Sequence, residues 1–175
     1  MIDTAVELKA AIRDIPDFPK KGIIFKDITT LLKDGVLFRK AVDQMAAPFI
    51  GKGITKVIGV ESRGFIFASA IAYKLGVGLV IVRKPGKLPH KTHKESYDLE
   101  YGKDTLEIHI DALTKDDKVL LVDDLLATGG TAQAVAKMVK HFGSPLAGIV
   151  FLIELAFLNG REKLKGYPVA SLITY

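Results

Sequence analysis

Val119-Leu120-Leu121-Val122-Asp123-Asp124-Leu125-Leu126-Ala127-Thr128-Gly129-Gly130-Thr131 reads as a strand, an acidic pair, a glycine turn and the start of a helix. The run Val119 to Val122 is short, branched and apolar, which suits a strand buried on both faces. Asp123 and Asp124 follow where such a strand leaves its sheet. Beyond Thr131, Ala132, Val135, Met138, Val139 and Phe142 recur at helical spacing.

That turn favours an anion. Glycine lets backbone N–H groups converge, and the next helix adds free N–H groups and the positive end of its dipole. Thr128 and Thr131 add hydroxyl donors. Asp123 and Asp124 would repel a phosphate in direct contact but suit sugar hydroxyls or the waters around Mg²⁺. The expected ligand carries a phosphate beside a ribose diol. Neither Gly-x-x-x-x-Gly-Lys-Ser/Thr nor Gly-x-Gly-x-x-Gly occurs, so the common nucleotide loops do not apply. A purely structural turn would leave the paired carboxylates without a purpose.

Outward from this stretch, residues 57–60, 79–82 and 149–153 are further buried-strand patterns, separated by helical ones at 36–50 and 65–75. Strands alternating with helices predict a parallel α/β sheet with ligands at the strands' carboxyl ends. Glu61-Ser62-Arg63, Arg83-Lys84 and Asp123-Asp124 each lie at such an end, so three loops converge on one crevice. Residues 3–14 read as a short amphipathic helix ended by Pro16 and Pro19. Residues 22–28 read as a short extended piece, with an edge strand as the plain interpretation. The segment 84–102 lacks periodicity and reads as a functional loop; 105–113 resumes alternation and pairs with the loop's return.

The chain has 175 residues, enough for one domain with a real core. No apolar run reaches transmembrane length, no signal peptide is expected at Met1-Ile2-Asp3-Thr4, and zero cysteines rule out disulfide and thiolate chemistry. The net charge of +5 is modest, but Lys84, Lys87, Lys91, Lys94, His90 and His93 crowd into one segment. Nucleic acid, a membrane surface and a small polyanion all suit such a cluster. Without an accompanying nucleic-acid motif, a small, highly charged substrate is the expectation.

The quoted stretch resembles the phosphoribosyl pyrophosphate signature of type I phosphoribosyltransferases, in the form carried by the adenine phosphoribosyltransferase family. Segments 18–28, 61–65, 83–89 and 97–102 agree, so the resemblance spans nearly the whole chain. It implies a single domain over 1–175 with the family's α/β fold: a central parallel sheet flanked by helices, a small hood from about 1–35 and 154–175, and a flexible catalytic loop at about 84–102. In the hood it implies a short helix near 159–165 and a strand at 169–173. The implied reaction moves the 5-phosphoribosyl group from phosphoribosyl pyrophosphate to adenine, giving AMP and pyrophosphate in purine salvage.

By the same resemblance, Ala127, Thr128, Gly129, Gly130 and Thr131 hold the 5′-phosphate, and Asp123 and Asp124 hold the ribose. Glu61, Ser62, Arg63, Arg83, Lys84 and Lys87 serve the pyrophosphate, with a cis peptide expected between Glu61 and Ser62. Ile24, Phe25, Lys26 and Leu125 meet the base; Lys26 stands where the family often has Arg and lacks its planar fork. Glu100 and Arg63 are the catalytic candidates, Glu100 as the loop acid at the purine N7. The 6-oxopurine enzymes carry an acidic residue where this chain has Ala127, which argues against hypoxanthine or guanine. Mg²⁺ is expected on phosphoribosyl pyrophosphate rather than on protein ligands. A cytoplasmic homodimer is expected, with no nucleic-acid or membrane partner. A DNA-binding regulator that keeps this signature would need a winged helix, for which residues 1–30 leave no room.

Overall fold

A computed structural model of the chain describes residues 4–98 and 103–175. In chain order the elements are α1 (Thr4–Ala10), β1 (Arg13–Pro16), β2 (Ile24–Asp27), α2 (Thr29–Leu32), α3 (Gly35–Ala46), β3 (Lys56–Val60) and α4 (Gly64–Leu75). There follow β4 (Gly78–Val82), β5 (Thr92–Asp98), β6 (Lys103–His109), β7 (Val119–Leu126), α5 (Gly130–His141), β8 (Leu146–Glu154) and β9 (Val169–Thr174).

The central sheet has five strands in the order β4-β3-β7-β8-β9, every neighbouring pair parallel. Strand alternation splits the core into two layers. Leu120 and Val122 face α1–α4 with Leu8, Leu31, Met45, Phe67 and Ile71. Val119 and Leu121 face α5 and β6 with Val135, Met138, Val139, Leu106 and Ile108. Burial on both faces is why these strands read as continuous apolar runs. The fold expected from the sequence is the one found.

Several boundaries differ from the sequence reading. The first helix stops at Ala10, because residues 13–16 pair antiparallel with β2 in a separate two-stranded sheet (Ile15 opposite Phe25). The helix expected over 36–50 ends at Ala46 and tightens into a 3₁₀ turn at Ala47–Phe49. Part of the expected loop is a strand: β5 and β6 form a hairpin running from Thr92 opposite His109 to Asp98 opposite Lys103. β7 runs on through both aspartates, since β8 continues alongside it until Leu126 lies opposite Glu154. Finally, β9 belongs to the central sheet rather than to a hood, with Val169 opposite Ile149. Around it, Gly160–Leu164 is 3₁₀ rather than a regular helix.

Candidate active site

The turn expected to hold phosphate sits where β7 hands over to α5. Gly129 takes a left-handed φ of 80°, and the N–H of Gln133 is the one that returns to its carbonyl at 3.0 Å. The N–H groups of Gly130, Thr131 and Ala132 therefore lie ahead of the helical ladder. Asp123, Leu125 to Ala132 and Phe151 enclose a hollow of about 60 Å³. Behind the turn, Gly160 presses backbone to backbone on Gly129: a Cβ on either would run into the other's strand of chain. Arg161 secures this support with a two-pronged bond to Glu154 (2.7 Å each) and a bond to the Val169 carbonyl at 3.0 Å. Sequence reasoning missed Gly160; the glycine after Asn159 was its only trace.

Asp123 accepts the Asp124 N–H at 2.9 Å on its own Oδ1. Its carboxylate also abuts Gly64, where a Cβ would come to 2.5 Å from Oδ1. Asp124 is buried and lies 2.8 Å from Arg63 Nε. Burial pushes both carboxyls up, Asp123 well above the usual carboxylate range with the Asp124 charge adding to it; Arg63 pulls in the opposite direction. Arg63 also lies 4.9 Å over the Phe25 ring. One guanidinium thus joins a residue expected at the ribose to one expected at the base.

On the far side, the Glu61–Ser62 peptide is cis, in line with the resemblance. The Glu61 N–H is spent on the Val82 carbonyl at 2.9 Å. Its carboxylate accepts the Lys84 N–H at 2.9 Å and pairs with Arg83 at 3.2 Å, while Arg83 also donates to the Lys87 carbonyl at 3.0 Å. The Lys84 N–H and Arg83 hold the Glu61 carboxyl below its ordinary value despite burial. A carboxylate does not itself attract pyrophosphate, so the Glu61 side chain organises this loop. Lys84 reaches Asp104 at 3.3 Å, and Lys87 is exposed.

A larger cavity, of about 500 Å³, opens beside the turn. Ile24 and Lys26, both expected at the base, line it together with Gly22, Ile23, Leu155, Phe157, Leu158 and Tyr175. Thr128 is a wall of both this cavity and the phosphate hollow. Leu125, expected at the base, lines the hollow. The Lys26 ammonium is held by Asp14 at 2.7 Å and lies 3.8 Å over the Tyr175 ring. Leu155, Phe157, Leu158 and Tyr175 were not anticipated; the apolar run after β8 was the available signal. Glu100 lies outside the described residues.

A family model described as the phosphoribosyl transferase domain matches residues 30–170. The adenine phosphoribosyltransferase of Geotalea uraniireducens is 60% identical over 169 residues, covering 97% of this chain and 99% of its own. Among solved structures, the adenine phosphoribosyltransferase of Thermoanaerobacter pseudethanolicus superposes with a TM-score of 0.95 at 52% identity, covering 98% of this chain and 99% of its own. The enzyme of Saccharomyces cerevisiae, solved with D-2,5-dideoxy-2,5-imino-altritol 1,6-bisphosphate and adenine, gives 0.90 at 40% identity, over 98% and 99% of the two chains.

Proposed function

Because this chain belongs to the phosphoribosyltransferase family, within its adenine phosphoribosyltransferase branch, we propose that it converts adenine and phosphoribosyl pyrophosphate into AMP and pyrophosphate. The observation that carries this reading is the shared wall at Thr128. It puts a phosphate-sized hollow lined by N–H groups next to an apolar cavity large enough for a purine.

In this reading the hollow takes the 5′-phosphate, through the N–H groups of Gly129 to Thr131 and the Thr128 and Thr131 hydroxyls. Asp123 and Asp124 orient the ribose diol. The bond from C1 to pyrophosphate breaks, its electron pair leaves on the pyrophosphate oxygen, and N9 of adenine forms the new bond to C1. Positive charge builds on the ribose ring and negative charge on the departing group, so cations and N–H groups aimed at that group supply most of the catalysis. Arg63, Arg83, Lys84, Lys87 and the Ser62 N–H are the groups we assign there. The paired carboxylates at one strand end suit the water shell of Mg²⁺ carried in by phosphoribosyl pyrophosphate, where the ion offsets phosphate charge. Glu100 is assigned as the acid at N7; N9 gives its proton to solvent as it bonds to C1, and Glu100 then takes the N7 proton back, so that AMP leaves with an unprotonated ring. Ile24, Phe157, Leu158 and Tyr175 hold the base, with Phe25 beside it under Arg63.

We also propose a homodimer. Strand β4 is a sheet edge, and Leu79 and Ile81 on it and Ile66 and Tyr73 on α4 stand exposed, Tyr73 at 91%. Such a strip suits a second copy of the chain. We place the enzyme in the cytoplasm, in keeping with its zero cysteines; among the described residues no helix is long and apolar enough to cross a membrane. The hood reduces to β1–β2 and the segment between β8 and β9, packed on a single domain.

The test is a base panel. With phosphoribosyl pyrophosphate and Mg²⁺ supplied, pyrophosphate release should be rapid with adenine and marginal with hypoxanthine, guanine and orotate. Equal turnover with a 6-oxopurine would overturn the assignment.

A further inference from the structure

The strand β5 reaches the phosphate turn through one side chain. Tyr97 is half-buried, and its hydroxyl lies 3.2 Å from Thr131 Oγ1 and 3.2 Å from Asp104 Oδ2. Asp104 also receives Lys84 Nζ at 3.3 Å and the Thr105 N–H at 2.9 Å. A continuous chain of polar contacts thus runs from the phosphate turn, across the closed end of the hairpin where Tyr97 lies opposite Asp104, to a cation on the pyrophosphate side.

The proton positions along this chain follow from which groups can donate. Burial works against the Asp104 charge, but the Thr105 N–H, Lys84 and Tyr97 together hold its carboxyl below the ordinary value. An ionised carboxylate only accepts, so the Tyr97 proton points to Asp104. The Tyr97 oxygen is then an acceptor toward Thr131, and the Thr131 hydroxyl has a single proton to give. A phosphate in the turn offers that proton a charged acceptor, and hydrogen bonds to charged acceptors are about twice as strong as neutral ones.

We propose that Tyr97 is a positioning residue that competes with the ligand's phosphate for the Thr131 proton, so that filling the phosphate turn detaches β5 from the start of α5. The proposal rests on the reading of this turn as the 5′-phosphate site. The link is broken only when phosphate arrives, and part of the binding free energy goes into breaking it. The tie is a device for holding the Tyr97 end of β5 against the start of α5 until a phosphorylated sugar is in place.

The prediction has an unusual sign. Tyr97→Phe keeps the ring and its packing but removes the competing acceptor. Ribose 5-phosphate, measured by calorimetry, should bind the Tyr97→Phe protein about two- to tenfold more tightly than wild type, the worth of one neutral hydrogen bond. A residue that merely supported the fold would weaken binding or leave it alone. In a Thr131→Val background the proton is absent, so Tyr97→Phe should bring no gain there. Weaker or unchanged binding in Tyr97→Phe, or an equal gain in both backgrounds, overturns the proposal. If Thr131→Val itself leaves ribose 5-phosphate affinity at the wild-type level, the phosphate reading of the turn fails and the proposal with it.

Discussion

Gly160 lies against Gly129 so closely that a Cβ on Gly160 would collide with the Ala127 carbonyl and come within 3.1 Å of the Gly129 nitrogen. The atoms in the way are backbone, and they belong to the phosphate turn itself. Gly160→Ala should therefore reshape the turn rather than only loosen the segment behind it. Overpacking of this kind costs about 1–3 kcal/mol of stability. The expected result is a lowered melting temperature together with a rise in KM for phosphoribosyl pyrophosphate that exceeds any rise for adenine. Equal KM values for both substrates before and after the change would rule out the coupling between these two glycines.

Asp123 should trade stability for function. Burial first, and then the Asp124 charge, raise its carboxyl well above its ordinary value. The unfolded chain thus loses this proton at lower pH than the native one does. Between the two values the native state binds more protons, so stability falls as pH rises and the deficit persists at neutral pH. Asp123→Asn keeps an Oδ1 acceptor for the Asp124 N–H while removing the charge. At pH 7 the variant should be more stable in denaturant titration. Its catalytic efficiency should drop roughly ten- to a hundredfold as a ribose hydrogen bond to a charged partner is lost. A variant both less stable and fully active would contradict the assignment.

How far the sequence announced this arrangement varied with the physics of each element. Val119 to Val122 and Ile149 to Ile153 were legible because burial on both faces demands unbroken apolar runs. The Gly/Thr turn was legible as a turn because glycine accepts the left-handed φ of 80° found at Gly129, just before α5 begins. β5 was not, since Thr92-His93-Lys94-Glu95-Ser96-Tyr97-Asp98 carries no apolar alternation, and its pairing with β6 supplies the order that composition withholds. Phe157 and Tyr175 reach the base cavity from chain far from any motif, so no local spacing could identify them. The Arg63–Asp124 pair was hidden for the same reason: each residue belonged to its own loop, and only the adjacency of β3 and β7 brings them together.

Glu61 gives a prediction in pH. Its carboxyl lies below its ordinary value, chiefly through the Lys84 N–H, with burial opposing and Arg83 assisting. A depressed native value means the stabilisation is present above the unfolded value and is lost as pH falls through the native one. Acidifying the wild type below about 4.5 should thus release Arg83 and the 83–87 loop. Glu61→Gln cannot titrate, so it should flatten that part of the stability profile measured by thermal melts. At neutral pH its KM for phosphoribosyl pyrophosphate should rise about tenfold, as Arg83 loses a charged partner. An acid limb identical in the two proteins would show that Glu61 does not control this loop.

Phe157 offers a way to separate the base cavity from the fold. Its ring lines that cavity yet is 69% exposed, so little of its packing is internal. Truncation of such a side chain normally changes stability by no more than about 0.5 kcal/mol. A stacked ring contributes about 0.5–1.5 kcal/mol beyond the area it covers, so Phe157→Ala should raise the adenine KM by about two- to tenfold. The KM for phosphoribosyl pyrophosphate should stay put, because the phosphate hollow does not include Phe157. Lys26→Ala makes the contrast. Its ammonium is committed to Asp14 at 2.7 Å and to the Tyr175 ring at 3.8 Å, so its loss should act through the placement of Tyr175. Lys26→Arg restores a cation at that ring and should recover adenine affinity that Lys26→Ala loses. If Phe157→Ala lowers the melting temperature by several degrees, or moves both KM values together, the ring belongs to the fold and the base is held elsewhere.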